Sequence, residues 1–234
     1  MRTIKKVASH IFIDGFGGMT QGLFATLIIG TMIQQIGLLI GGSTGNVIYL
    51  LGKAAAALTS AGIGVGVAVK YGESPLVTVS AAVAAMVGGY AGKITGGTFF
   101  VDGNAVLAGP GEPLGAFIAA FAGITCGHLV SGKTKVDIIV TPVITIGAGS
   151  VVGLLVGPPI SQMMTGLGSI INWATEQRPF IMGIVVSVVM GMVLTLPISS
   201  AALGIILNLS GLAAGAATIG CCCNMVGFAA GRVR

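Results

Sequence analysis

The sequence predicts an all-α, polytopic transmembrane helical bundle with a re-entrant hairpin and an amphipathic interfacial helix. Three observations carry that expectation. Charged residues make up 7% of the chain, against about 25% in soluble globular domains. Hydrophobic residues make up 54%, and mean hydropathy is +1.03. A water-soluble fold of 234 residues does not enclose that much apolar surface, whereas lipid accepts it. Glycine contributes 40 residues. Glycine weakens soluble helices, but in membranes it lets helix backbones approach closely, as in the small-residue stretches Ala61 to Ala68 and Gly204 to Gly220.

The spans are read from uncharged runs and their breakers, at about 20 apolar residues per crossing. Thr20 to Ile40 is the first span and Gly41 to Gly45 its turn. Asn46 to Val69 is the second, with Lys53 placed to snorkel to the interface. Lys70 to Pro75 is a loop, and Pro75 suits the first turn of the third span, Leu76 to Gly92. Lys93 to Gly111 is too broken by glycine to span and too apolar for a free aqueous loop. It reads as a re-entrant or hairpin segment, tolerated at membrane depth only where protein or a watery cavity surrounds it. That makes it the best local pointer to a solute path.

Glu112 to Val130 is the fourth span, followed by the polar loop Ser131 to Asp137. Ile138 to Val156 is the fifth, kinked at Pro142 and ended by Gly157-Pro158-Pro159. From Pro158 to Thr175 apolar residues recur at helical spacing between Ser161, Gln162, Thr165, Ser169 and Asn172. This reads as an amphipathic helix along the interface, with Trp173 at headgroup level, or equally as a packing helix. Glu176 to Pro179 is a turn, Phe180 to Leu196 the sixth span, Pro197 to Ser200 a break, and Ala201 to Cys222 a seventh apolar segment. The expected count is seven or eight spans.

Net charge is +5. The basic residues Arg2, Lys5 and Lys6, then Lys133 and Lys135, then Arg232 and Arg234 cluster at segment ends, as in cytoplasmic loops. A cytoplasmic N-terminus places the Lys70 and Lys133/Lys135 loops inside, and Lys93 to Gly111 then enters from outside. Arg232 and Arg234 fall outside on this count, so the count is off by one or the chain continues. The expectation is a single transmembrane domain over 1–234, truncated at its C-terminus, in the cell membrane. The basic start is followed by Asp14 and by no small-residue cleavage site, so no cleavable signal peptide is read. No basic stripe interleaved with aromatics points to nucleic acid.

Cys126 stands alone, and Cys221, Cys222 and Cys223 are consecutive. They match no zinc spacing and read as small buried thiols of a membrane helix. No metal or cofactor is expected. There is no P-loop, Gly-x-Ser-x-Gly elbow, His-Glu-x-x-His or Cys-x-x-Cys motif, which argues against a membrane ATPase, protease or electron carrier and leaves catalytic residues unassigned.

Ionisable groups at membrane depth are costly and are functional candidates by default. Glu112 leads, in Gly109-Pro110-Gly111-Glu112-Pro113, where broken backbone meets a helix start. Its carboxylate can accept hydrogen bonds from sugar hydroxyls or bind a cation or proton. The competing reading is a charge that complements a helix N-terminus. His128 lies about 24 Å further along the same helix, too far to share one small site through that helix alone, and it also suits an interface. His10 reads as a cytoplasmic flank residue. Asp14, before Gly15-Phe16-Gly17-Gly18, and Asp102, in Val101-Asp102-Gly103-Asn104, are candidates or turn residues. Asn104 and Asn208 can bond sugar hydroxyls or neighbouring helices. The candidate substrate-binding set is therefore Glu112, Asn104, Asp102, His128 and Asn208.

The run Pro113-Leu-Gly-Ala-Phe-Ile-Ala-Ala-Phe-Ala-Gly, the Lys133 to Lys135 loop, Thr141-Pro-Val and Val156-Gly-Pro-Pro-Ile-Ser together resemble the membrane IIC subunit of bacterial sugar phosphotransferase systems. His10 to Gly42 and the Gly-Pro-Gly-Glu-Pro segment resemble a smaller IIC-like branch that includes perfringolysin-regulator-like proteins, some of them regulators of toxin expression. The resemblance implies a homodimeric permease for a sugar-like substrate, which a separate IIB subunit phosphorylates during transport. It also implies that Glu112-Pro113 matches the Glu-Pro that contacts sugar near a hairpin in glucose-type relatives. Two features depart from the pattern. The fructose-type Asp-Met-Gly-Gly-Pro stretch falls where this chain reads Leu-Thr-Leu-Pro-Ile, from Leu194 to Ile198. No IIA or IIB domain and no phosphocysteine loop is fused. The alternatives are a non-transporting membrane sensor or regulator, and an ion-coupled carrier of another small solute with Glu112 or Asp14 as the ion site.

Overall fold

A computed structural model describes residues 14–101, 104–107, 109–175, 178–195 and 211–232. The chain divides into two compact units, Met1–Ser161 and Gln162–Arg234. The first holds α1 (Phe16–Ile40), α2 (Gly42–Ala57), α3 (Thr59–Lys70), α4 (Pro75–Gly89), α5 (Ala91–Thr95), the strands β1 (Phe100–Val101) and β2 (Asn104–Ala105), α6 (Pro113–Val130) and the start of α7 (Asp137–Thr175). The second holds the end of α7, then α8 (Pro179–Thr195) and α9 (Gly211–Arg232).

This is a multi-pass membrane protein. Among the described residues, α1, α6 and Asp137–Ile171 of α7 are each long and apolar enough to cross a bilayer. The α2–α3 pair, bent by 53°, adds a fourth crossing as one broken span. Helices α4, α8 and α9 contribute shorter apolar stretches.

Packing in the first unit inverts the soluble pattern. Its interior is rich in small residues: Ala81, Ala84, Ala85, Ala116, Ala119 and Ala120 are fully buried beside a few larger side chains such as Leu27 and Ile63, whereas Leu38, Leu39, Ile138 and Leu155 face outward. A helix that meets lipid gains nothing by hiding leucine, so contacts form where small residues let backbones touch. Gly18 and Gly22 of α1 lie against Gly66 and Gly62 of α3, and Gly30 and Gly37 lie against Gly52 and Gly45 of α2. A Cβ at any of these positions would strike opposing backbone, except at Gly62, where it would strike the Thr26 side chain. Gly88 of α4 meets Gly115 of α6, and Gly123 of α6 meets Thr145 and Gly149 of α7.

Helix ends follow local chemistry. Ser74 caps α4 by accepting from the Val77 N–H at 3.4 Å, with Pro75 in the first turn. The expected Gly41 to Gly45 turn is tighter than predicted. Gly41 and Gly42, at φ 65° and 64°, complete it, and α2 begins at Gly42. The second span is broken at Leu58, between α2 and α3.

Three expectations need correction. Gly157-Pro158-Pro159 does not end a helix, because α7 runs through all three residues to Thr175. Each proline removes one N–H, a loss that membrane helices tolerate, and Gly157 packs on Ala91. The segment expected to be an interfacial or a packing helix is therefore continuous with the fifth span. It keeps its two-faced character, with Met164, Ile171 and Ala174 buried and Gln162, Met163 and Trp173 exposed. Cys222 and Cys223 are exposed rather than buried, while Cys126 and Cys221 are half-buried. Consecutive residues of a helix point about 100° apart, so one packing face does not hide all three. The break from Pro197 to Ser200 and the segment start from Ala201 lie outside the described residues.

In the second unit, α8 and α9 are held by side chains that bond backbone across the pair. Ser187 Oγ donates to the Ala216 carbonyl at 2.7 Å, and Asn224 Nδ2 donates to the Gly191 carbonyl at 2.5 Å. Gly220 sits directly on the Ser187 backbone.

Candidate functional site

The site lies where α3 begins, α4 ends and α6 begins. These ends meet because α3, α4 and α6 run alternately up and down, with α3 joined to α4 at the other end by the Tyr71 to Ser74 loop. Between α4 and α6 the chain makes the short helix α5 and a small antiparallel hairpin, pairing Phe100 with Ala105 and Val101 with Asn104. The Val106 N–H bonds the Phe99 carbonyl at 2.8 Å. The segment expected to be re-entrant or a hairpin is thus a helical turn, a hairpin and the Gly109 to Pro113 return.

That return is fastened at three successive points. The Tyr90 hydroxyl donates to the Gly109 carbonyl, Ser60 Oγ donates to the Pro110 carbonyl at 3.0 Å, and the Glu112 N–H donates to the Gly89 carbonyl at 2.7 Å. Gly109 and Gly111 take φ of 81° and 74°, a region other residues enter only under strain. A Cβ at Gly111 would also meet Ser60 Oγ. Ser60 and Tyr90 are buried beneath the return. The Phe99 ring packs on Tyr90 with centroids 5.4 Å apart, and Lys93 Nζ lies 5.4 Å from the Tyr90 ring centroid.

On this fixed backbone, Glu112 is left unused. It stands at the N-cap of α6, yet its side chain makes no capping hydrogen bond. Its Oε2 is buried and has no hydrogen-bond partner. Glu112 precedes the spanning turns of α6, and burial pushes its carboxyl up to about 7, with the Lys93 charge pulling the other way. A buried oxygen without a partner normally costs stability. Here it supplies an acceptor, or when protonated a donor, for a polar group brought by a ligand.

The other expected site residues scatter. Asn104 lies exposed in β2, on the hairpin that returns to Glu112. His128 stands at the far end of α6, 71% exposed, with Nδ1 3.0 Å from the Glu73 carboxylate. Beside it, Ser74 and Ser131 share a hydroxyl–hydroxyl bond of 3.1 Å. Asp102, Asn208 and His10 lie outside the described residues. Asp14 precedes α1 and acts on Tyr71, whose phenol is raised by burial and by the Asp14 charge. No group of three or more His, Cys, Asp or Glu suited to a metal occurs among the described residues.

Sequence reasoning missed Ser60, Tyr90 and Lys93. The available signal was a hydroxyl or cation set inside a run of glycine and alanine, as in Gly88-Gly89-Tyr90-Ala91-Gly92-Lys93.

Comparison with known families decides the wider assignment. The family described as Phosphotransferase system, EIIC, matches residues 13–234. The chain belongs to that family. The EIIC match runs through both compact units. A transport role in the membrane is what this sugar-permease family carries, and the apolar spans accord with it. No curated protein and no solved structure matches this EIIC chain.

Proposed function

We propose that the chain is a phosphotransferase-type permease that binds a sugar or sugar-like solute at Glu112 and carries it across the cell membrane. The observation that carries this reading is the buried, unpartnered Glu112 Oε2 on a backbone clamped by Ser60, Tyr90 and Gly89. A rigid frame around a free polar group is the arrangement that binds with little ordering cost. Phe99, half-buried beside the return, adds an apolar ring face of the kind that packs on a sugar's C–H surface.

The finer parts of the reading follow from family membership and charge. A separate IIB subunit phosphorylates the solute as it is carried. The protein works as a homodimer and belongs with the perfringolysin-regulator-like branch. The N-terminus is cytoplasmic: Lys70, Lys133 and Lys135 gather where Ser74 meets Ser131, as cytoplasmic loops do, and Glu112 then opens toward the outside.

The test is a thermal-shift screen of the purified protein in detergent over sugars, polyols and ascorbate-like acids, run beside Glu112→Gln. A solute that stabilises the native protein but not the variant supports the reading. Equal stabilisation of both overturns the role of Glu112. Uptake assays in proteoliposomes then separate phosphorylated product, as expected, from accumulation that follows a proton or sodium gradient, which would make the protein an ion-coupled carrier.

A further inference from the structure

Tyr90 does more than fasten the Glu112 segment. Its hydroxyl faces two carbonyls, that of Gly109 at the end of the hairpin and that of Ala57, 3.2 Å away, at the end of α2. Both carbonyls lie where the backbone leaves a regular pattern. Gly109 is in the left-handed region. Ala57 precedes the break at Leu58, where the chain bends by 53° and the Thr59 hydroxyl turns back to the Ala56 carbonyl at 2.6 Å. A phenol has one proton and donates one full hydrogen bond at a time, and buried carbonyls compete for such donors.

We propose that Tyr90 is a positioning residue whose single hydroxyl proton is shared between the Gly109 and Ala57 carbonyls, so that release of the hairpin and tightening of the α2–α3 break are one event. With the hairpin docked, the Gly109 carbonyl accepts the main hydrogen bond and the break is held loosely. When the hairpin lifts, the hydroxyl donates wholly to the Ala57 carbonyl. Among the described residues, Ser60 bonds the Pro110 carbonyl across this junction and anchors without choosing. The inference rests on the Glu112 reading only for its meaning in transport. It links opening of the site to the angle of a spanning helix pair.

Hydrogen–deuterium exchange of the full-length protein in detergent, without solute, tests it. In Tyr90→Phe both the hairpin segment 99–111 and the break segment 57–62 should exchange faster, by roughly 5-fold, the factor that loss of one such bond gives. In Phe99→Ala, which removes the ring contact but keeps the hydroxyl, the hairpin should exchange faster while the break exchanges at or below its native rate. Unchanged protection of Ala119 to Ile124 in α6 reports that each variant is folded. Hairpin loosening in Tyr90→Phe with an unaltered break overturns the coupling. So does a break that loosens together with the hairpin in Phe99→Ala, which keeps the test decisive should Tyr90→Phe not fold. Because no solute is present, failure here and failure of Glu112 as a binding group are read separately.

Discussion

The two ends of α6 carry a carboxyl and an imidazole, Glu112 and His128, and they are built on opposite plans. At the start, the backbone around Glu112 is held at three points while the carboxylate's second oxygen has no partner. At the finish, His128 is largely exposed and its ring is engaged by Glu73. One end spends its hydrogen bonds on the frame and leaves the side chain available. The other spends the side chain itself on joining α6 to the loop between α3 and α4. Chemical type alone ranked both residues as candidates. Their surroundings separate them, because a buried group without a partner costs stability that only a ligand recovers, whereas the exposed His128 ring already has its partner in Glu73.

The largest expected effect breaks or confirms this contrast directly. Glu112→Gln should weaken solute binding by roughly 10- to 100-fold, the range of a hydrogen bond to a charged group, while His128→Gln changes it less than about 2-fold. Titration calorimetry on the solute found by thermal shift measures both, and equal losses would erase the distinction. Ser60→Ala comes next. It strands the buried Pro110 carbonyl, at about 1–2 kcal/mol, and should lower the detergent melting midpoint by a few degrees while weakening binding several-fold.

A third effect is a pH dependence. The Glu112 carboxyl is raised from 4.5 to about 7 by burial, so between those values the folded protein holds more protons than the unfolded chain. Stability therefore falls as pH rises through that window and levels off above it. The melting midpoint should decline from pH 5 to 7.5 in the native protein and stay nearly flat in Glu112→Gln. A rise over that range would show the carboxyl to be stabilised as the anion. The smallest effect belongs to the other end of the helix. Glu73→Gln keeps a hydrogen-bonding group opposite the highly exposed His128 ring and should shift the midpoint barely beyond measurement error.

How far the chain could be read without coordinates depended on which property carried the information. Apolar length is additive along the sequence, so the crossings at Thr20 to Ile40 and Glu112 to Val130 emerged within a few residues of α1 and α6. Proline was misjudged at Pro158 and Pro159, because in a lipid setting the missing N–H is tolerated where packing favours the helix. Glu112 was accessible because a carboxylate beside broken backbone is conspicuous. Ser60 and Tyr90 were not, since their part comes from carbonyls that reach them from 50 and 19 residues away. No local pattern records such a meeting.

One feature of α1 reaches beyond its own helix. Phe24 to Ile28 form a π turn. Along an unbroken α-helix the step from Gly22 to Gly30 overshoots by about 80°. A wider turn absorbs about one residue, or roughly 100° of rotation, and returns Gly30 almost to the line of Gly18 and Gly22. The bulge thus acts as a phase corrector. It lets one glycine stripe serve α3 first and α2 afterwards, although those partners diverge at Leu58. Closing that turn to regular α geometry with the same residues would leave hydropathy and length nearly untouched, yet rotate the distal half of α1 by about a quarter turn and set Ile29 and Ile36 against α2 where Gly30 and Gly37 now lie.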